Sequence, residues 1–96
     1  MTVEQFGISL SLSAPPATFP VLVQALWYEA KGNWERAHQI AQEQEGDPAY
    51  DRIHAFLHRV EGDSWNAAYW YRRLGIAVPT VSFDEERSVL VQELLA

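Results

Sequence analysis

Among side chains that can move a proton or hold a metal ion near neutral pH, this 96-residue sequence offers three histidines and no cysteine. His54 and His58 stand four apart in a segment that reads as helix, so both imidazoles project from one face and can share an ion. Glu61, three residues on, and His38 from the neighbouring helical pair can complete a three-ligand set. The pattern is not H-E-x-x-H, because Ala55 stands where that motif carries its general base. The competing reading is structural: an internal repeat sets His54 and His58 opposite Gln24 and Tyr28, so that His58 packs between helices as Tyr28 would. That reading is preferred here, and the identity of any metal stays open.

The second concentration of chemistry is basic and aromatic. Arg52, Arg59, Arg72 and Arg73 face only Glu61 and Asp63 within residues 52–73, in a chain whose formal charge is −6. Arg72 and Arg73, beside Trp70 and Tyr71, suit bidentate contact with a carboxylate or phosphate. The plainer role is to complement the dipole at a helix C-terminus. Glu61 and Asp63 flank a glycine and read as a helix end and an N-cap rather than as an acid–base pair. The candidate ligand-binding set is therefore His54, His58, Arg59, Glu61, Asn66, Tyr69, Arg72 and Arg73, with no catalytic residue assigned. No phosphate loop, nucleophile elbow or dinucleotide fingerprint is present, so no cofactor is expected and enzymatic activity is the less favoured reading.

Composition narrows the field further. Thirteen acidic residues against seven basic ones repel phosphate backbones, which disfavours nucleic acid as a partner. No apolar run approaches the ~20 residues that span a bilayer, and the first residues lack the features of a secretory signal. The absence of cysteine removes disulfides and thiolate zinc sites and favours a reducing compartment. A soluble, cytoplasmic protein is the expectation. Four Trp, four Tyr and four Phe supply bulk for a core that must hold without covalent staples.

These side chains are positioned by elements that capping signals delimit. Residues 1–18 are set apart: Ile8, Leu10 and Leu12 alternate with serines in the period of a half-buried strand, ended by Pro15-Pro16. The strand is expected to dock extended across the helices, the alternative being to pair with a second copy. A first helix is expected from Thr18-Phe19-Pro20, with Thr18 as cap, to Gly32. Asn33 then caps a second helix that runs to about Gln44. Asp47-Pro48 opens a third that Gly62 stops, and Asp63 caps a fourth ending at Arg73 before Gly75. Ser82 and Glu85 form the capping box of a fifth helix with Leu90, Leu94 and Leu95 as its apolar stripe.

At an offset of thirty residues Gly32 falls on Gly62, Asn33 on Asp63 and Ala37 on Ala67. Tyr28, Gly32 and Ala37, with Gly62, Ala67, Tyr71 and Pro79, give residues 19–79 a partial resemblance to tetratricopeptide repeats. The spacing departs from the family's thirty-four residues, and Ala25 and Ala55 stand where a glycine is usual. The resemblance implies paired helices presenting a groove to a peptide. The string from His54 to Arg73, with His58-Arg59-x-Glu61-Gly62-Asp63, also resembles a motif of small microbial helical proteins without assigned activity. The expectation is thus an all-α chain: an extended segment over 1–18, then a domain over 19–96 of two tetratricopeptide-like antiparallel hairpins and a capping C-terminal helix. It is expected to work as a protein- or peptide-interaction module, as a monomer or weak homodimer. The competing function is a small-molecule or metal-assisted site on the His54/His58 helix face.

Overall fold

Local capping chemistry sets most element boundaries in the computed structural model, which describes residues 2–96. Met1, part of the 1–18 segment, lies outside the described residues. Six α-helices follow one another among them: α1 (Val3–Ser9), α2 (Val21–Ala30), α3 (Trp34–Ala41), α4 (Pro48–Glu61), α5 (Ser64–Arg73) and α6 (Phe83–Leu95). No strand occurs among the described residues, and no helix is long and apolar enough to cross a membrane. The all-α expectation holds.

The side chains of Asn33, Asp47, Asp63 and Ser82 each accept a backbone N–H in the first turn of α3, α4, α5 and α6, satisfying donors that the helix itself leaves free. The tight turn between α4 and α5 is made by Gly62, whose φ of +88° lies in the left-handed region that side chains with a Cβ avoid. α3 runs on into a short 3₁₀ turn over Gln42–Gln44. α2 begins later than Thr18: Pro20 is its cap residue in extended conformation, without a side-chain hydrogen bond, and the Gln24 amide reaches back to the Phe19 carbonyl instead.

The strand expected over residues 8–12 is absent, and α1 with the turns after it takes its place. Thr2 and Gln5 form a reciprocal capping box, a helix-start signal that the serine and leucine alternation obscured. Serine hydroxyls that would face solvent on a strand bond backward to the carbonyls of Phe6 and Ile8. Burial follows the helical period, with Phe6 and Ser9 inside, while Ile8 is 69% exposed. Residues 2–17 are thus docked, but not extended as a strand. The Phe6 ring stacks near Phe19, the Trp27 indole donates to the Ser9 carbonyl, and Lys31 Nζ donates to the Leu10 carbonyl.

α2 packs along α3, α4 packs along α5, and the two pairs meet mainly where α3 lies against α4. Ala37 and Ala67, equivalent at the thirty-residue offset, are both buried, which lets the helices of each pair approach closely. α6 returns over α1, α2 and α4, where Leu90 and Val91 join Leu22, Val23, Leu26, Ile53, Phe56 and Leu57 in the main core. The Cα radius of gyration, 12.5 Å, is that of a compact chain of this length.

Candidate functional site

Asp47 and Pro48 start α4 so that His54 and His58 face α3, and Asn33 starts α3 so that His38 faces them. All three histidines of the chain converge there, with one nitrogen of each lying within 4.8 Å of the others. Nε2 of His38 and Nε2 of His54 are 3.0 Å apart, and His58 Nδ1 lies 3.1 Å from a Glu61 carboxylate oxygen. His54 and His58 are buried and His38 is half-buried.

Two tryptophans close the cluster. Trp34 stacks on His38 with centroids 4.6 Å apart, and its indole N–H donates to the Leu57 carbonyl, pinning the start of α3 to α4. Trp70 of α5 stacks on His54 at 4.3 Å, and the Arg73 guanidinium lies 4.9 Å above Trp70. Trp34 and His38, four apart on α3, share a helix face, whereas the stacking of Trp70 on His54 was not evident in the sequence.

The electrostatics keep two of these rings neutral. Burial, then the neighbouring imidazoles His38 and His58, push His54 down to about 4, with Asp51 opposing. Burial and the nearby His58 also lower His38, with Glu61 opposing. Only one of the two facing Nε2 atoms can carry the shared proton, and Nδ1 of His54 is buried among the described residues without a partner.

The candidate residues named from sequence divide between places. Glu61 belongs with the histidines. Asn66 completes the α5 cap, its amide donating to Asp63 Oδ2 at 2.7 Å, and that bond is the main reason Asp63 is held below the usual carboxylate range. Tyr69 and Arg73 flank Trp70 on the outer side of α5, while Arg72 is exposed. Arg59 points elsewhere: it donates to Glu86 at 2.7 Å and to the Val81 carbonyl, and lies over Phe83.

Arg59 leads to a second polar centre, beneath α6. Glu86 is 2% exposed and accepts from Arg52, Arg59 and the Tyr71 hydroxyl. Its neighbour Arg87 donates to both oxygens of the buried Glu29 of α2, at 2.6 and 2.8 Å. Glu29 and Arg59 occupy equivalent positions at the thirty-residue offset and carry opposite charges, each matched by one of two adjacent residues of α6. The sequence hid this pairing because its partners are 27 to 58 residues apart. No protein-family model matches the chain, and neither a curated protein nor a solved structure shows detectable similarity to it.

Proposed function

We propose that this protein binds one divalent transition-metal ion between its two helical pairs, through His38 of α3 and His54 and His58 of α4. The observation that carries this reading is the convergence of every histidine of the chain on one point. The 3.0 Å between the two Nε2 atoms approaches the ~3.3 Å that separates imidazole nitrogens each about 2.0–2.1 Å from a tetrahedral ion. A ligand imidazole must be neutral, and the lowered His38 and His54 are neutral at pH 7. Glu61 sits on the second nitrogen of His58 as carboxylates do when they orient a metal-bound histidine. Three imidazoles favour zinc- or copper-type ions over magnesium or calcium, which take oxygen donors. The ion would tie α3 to α4 and so fix one pair of helices on the other.

The test is titration of metal-free, full-length protein with zinc by calorimetry, and with copper(II) by tryptophan fluorescence, because Trp34 and Trp70 stack on two of the ligands. One ion per chain is expected, with quenching on copper addition. Glu61→Gln should weaken binding by about 10–100-fold, the usual effect of losing a ligand's supporting partner, and His58→Gln by more. Binding no tighter than about 1 mM, or affinity unchanged in His54→Gln and His58→Gln, would overturn the proposal. A protein-interaction role is the second reading, favoured by the charge-matched trough under α6.

A further inference from the structure

The trough that receives α6 is lined by α1, α2 and α4, and it reads the helix through charge. Arg52 and Arg59, seven residues apart on α4, converge with Tyr71 on Glu86, while Glu29 on α2 takes Arg87. Adjacent residues of a helix project about 100° apart, so Glu86 and Arg87 reach opposite walls, and only one placement of α6 satisfies both. At the outer edge of this seam a surface hollow of about 360 Å³ lies between Pro48, Arg52 and Ile53 of α4 and Leu90 and Leu94 of α6. The helix is thus held by a reciprocal ionic code plus Leu90 and Val91, all of which are side-chain contacts that do not depend on which chain supplies the helix.

The tether supplies the second observation. Residues 74–82 join α5 to α6 without helix or strand, turning at Gly75 with φ +74°. In this segment and at the first residue of α6, Ile76, Val78, Val81 and Phe83 are each 41–43% exposed, an apolar run that nothing in the chain covers fully. Nine residues reach about 30 Å when extended, comparable to the 33 Å length of the molecule, so the tether can deliver α6 to a neighbouring trough. We infer that two copies of this chain exchange α6, each helix seated in the other's trough through Glu86 and Arg87, with the two apolar tethers crossing and covering one another. Exchange repeats the contacts that α6 makes within one chain, so association entropy and the loss of the tether's own bonds to α5 oppose it, and tether burial offsets those terms.

A pair of complementary full-length variants tests this. In E86R the helix is repelled by its own arginines, and in R52E/R59E the trough repels its own Glu86. Mixed and refolded together, they form a one-to-one dimer in which one trough regains the native pairing and the other its charge-reversed mirror. The expected result is a lower melting temperature for each variant alone, and recovery with a heterodimer by sedimentation in the mixture. A mixture that melts and sediments as the sum of its parts would overturn the inference. Because either variant can fail to fold, the wild-type trough is tested separately. The chain has no cysteine, so a donor dye on S88C of α6 and an acceptor on Q39C of α3, placed on different chains and co-refolded, should show energy transfer that unlabelled wild-type chain competes away. Absence of transfer at concentrations where the chain is folded sinks the exchange. Both experiments run with chelator present, which separates their outcome from that of the histidine site.

Discussion

At His54 a buried imidazole is 6% exposed, stacked on Trp70, faced by a second ring nitrogen and left with one nitrogen unpartnered. Its titration gives a direct readout. In the unfolded chain it takes up a proton near 6.5, whereas in the fold it does so only near 4. Between those values the unfolded state binds more protons, so stability must fall as the pH drops through that window and be fully present above it. His38, lowered in the same sense, adds to the slope, while Asp51 and Glu61 reduce it. Thermal melts of metal-free protein from pH 8 to pH 4 should be level above about 6.5 and decline below it, and His54→Gln should flatten the decline. A melting temperature that rises on acidification would contradict the neutral, buried ring. Elsewhere on the chain, Gly62→Ala forces a Cβ into the left-handed region at φ +88°, and should cost about 1–2 kcal/mol in denaturant unfolding even though the space around it is open.

Among the elements, α6 stakes most on a single side chain. Glu86 joins two guanidinium groups and a phenol at a point 2% exposed, and burial, then the same carboxylate, raises the Tyr71 hydroxyl well above its ordinary value. Removing one partner of such a buried set leaves the others uncompensated, which typically costs about 3–5 kcal/mol. Glu86→Ala should therefore unfold at markedly lower denaturant concentration, with α6 gaining amide exchange before the α2–α5 helices do. Loss smaller than about 1 kcal/mol, the range of exposed pairs, would show that α6 is held by Leu90 and Val91 alone. α6 lies over α1, α2 and α4, so another helix seated there would have to carry the same adjacent acid and base.

For the molecule as a whole, the histidines join helical pairs that otherwise meet mainly along α3 and α4. An ion bound there stabilises the folded state alone. At a free concentration one hundred times the dissociation constant the gain is about 2.7 kcal/mol, which in a chain of this size corresponds to a rise in Tm on the order of 10–20 °C. Scanning calorimetry with zinc and with chelator should show that difference in the wild type and lose it in His58→Gln. The fold has no disulfide to mask the effect.

The sequence by itself determined where most helices begin and end, because caps and turn glycines act over three or four residues: Asn33, Asp47, Asp63 and Ser82 start helices, and Gly62 stops one, as their local chemistry requires. It also placed His54, His58 and Glu61 together, since one helix carries them. The first eighteen residues misled because a serine and leucine alternation fits a strand as well as it fits a capped helix followed by turns, and the packing of Phe6 on Phe19 is invisible locally. Only the tertiary structure decided that His38 closes on His54, that Trp34 and Trp70 sandwich the rings, and that Arg59 turns from the histidines to Glu86. Apart from Trp34 on His38, one turn away on α3, those contacts join residues 16 to 27 positions apart, where no sequence periodicity reaches and where burial of a charge or an imidazole depends on what the rest of the chain brings to meet it.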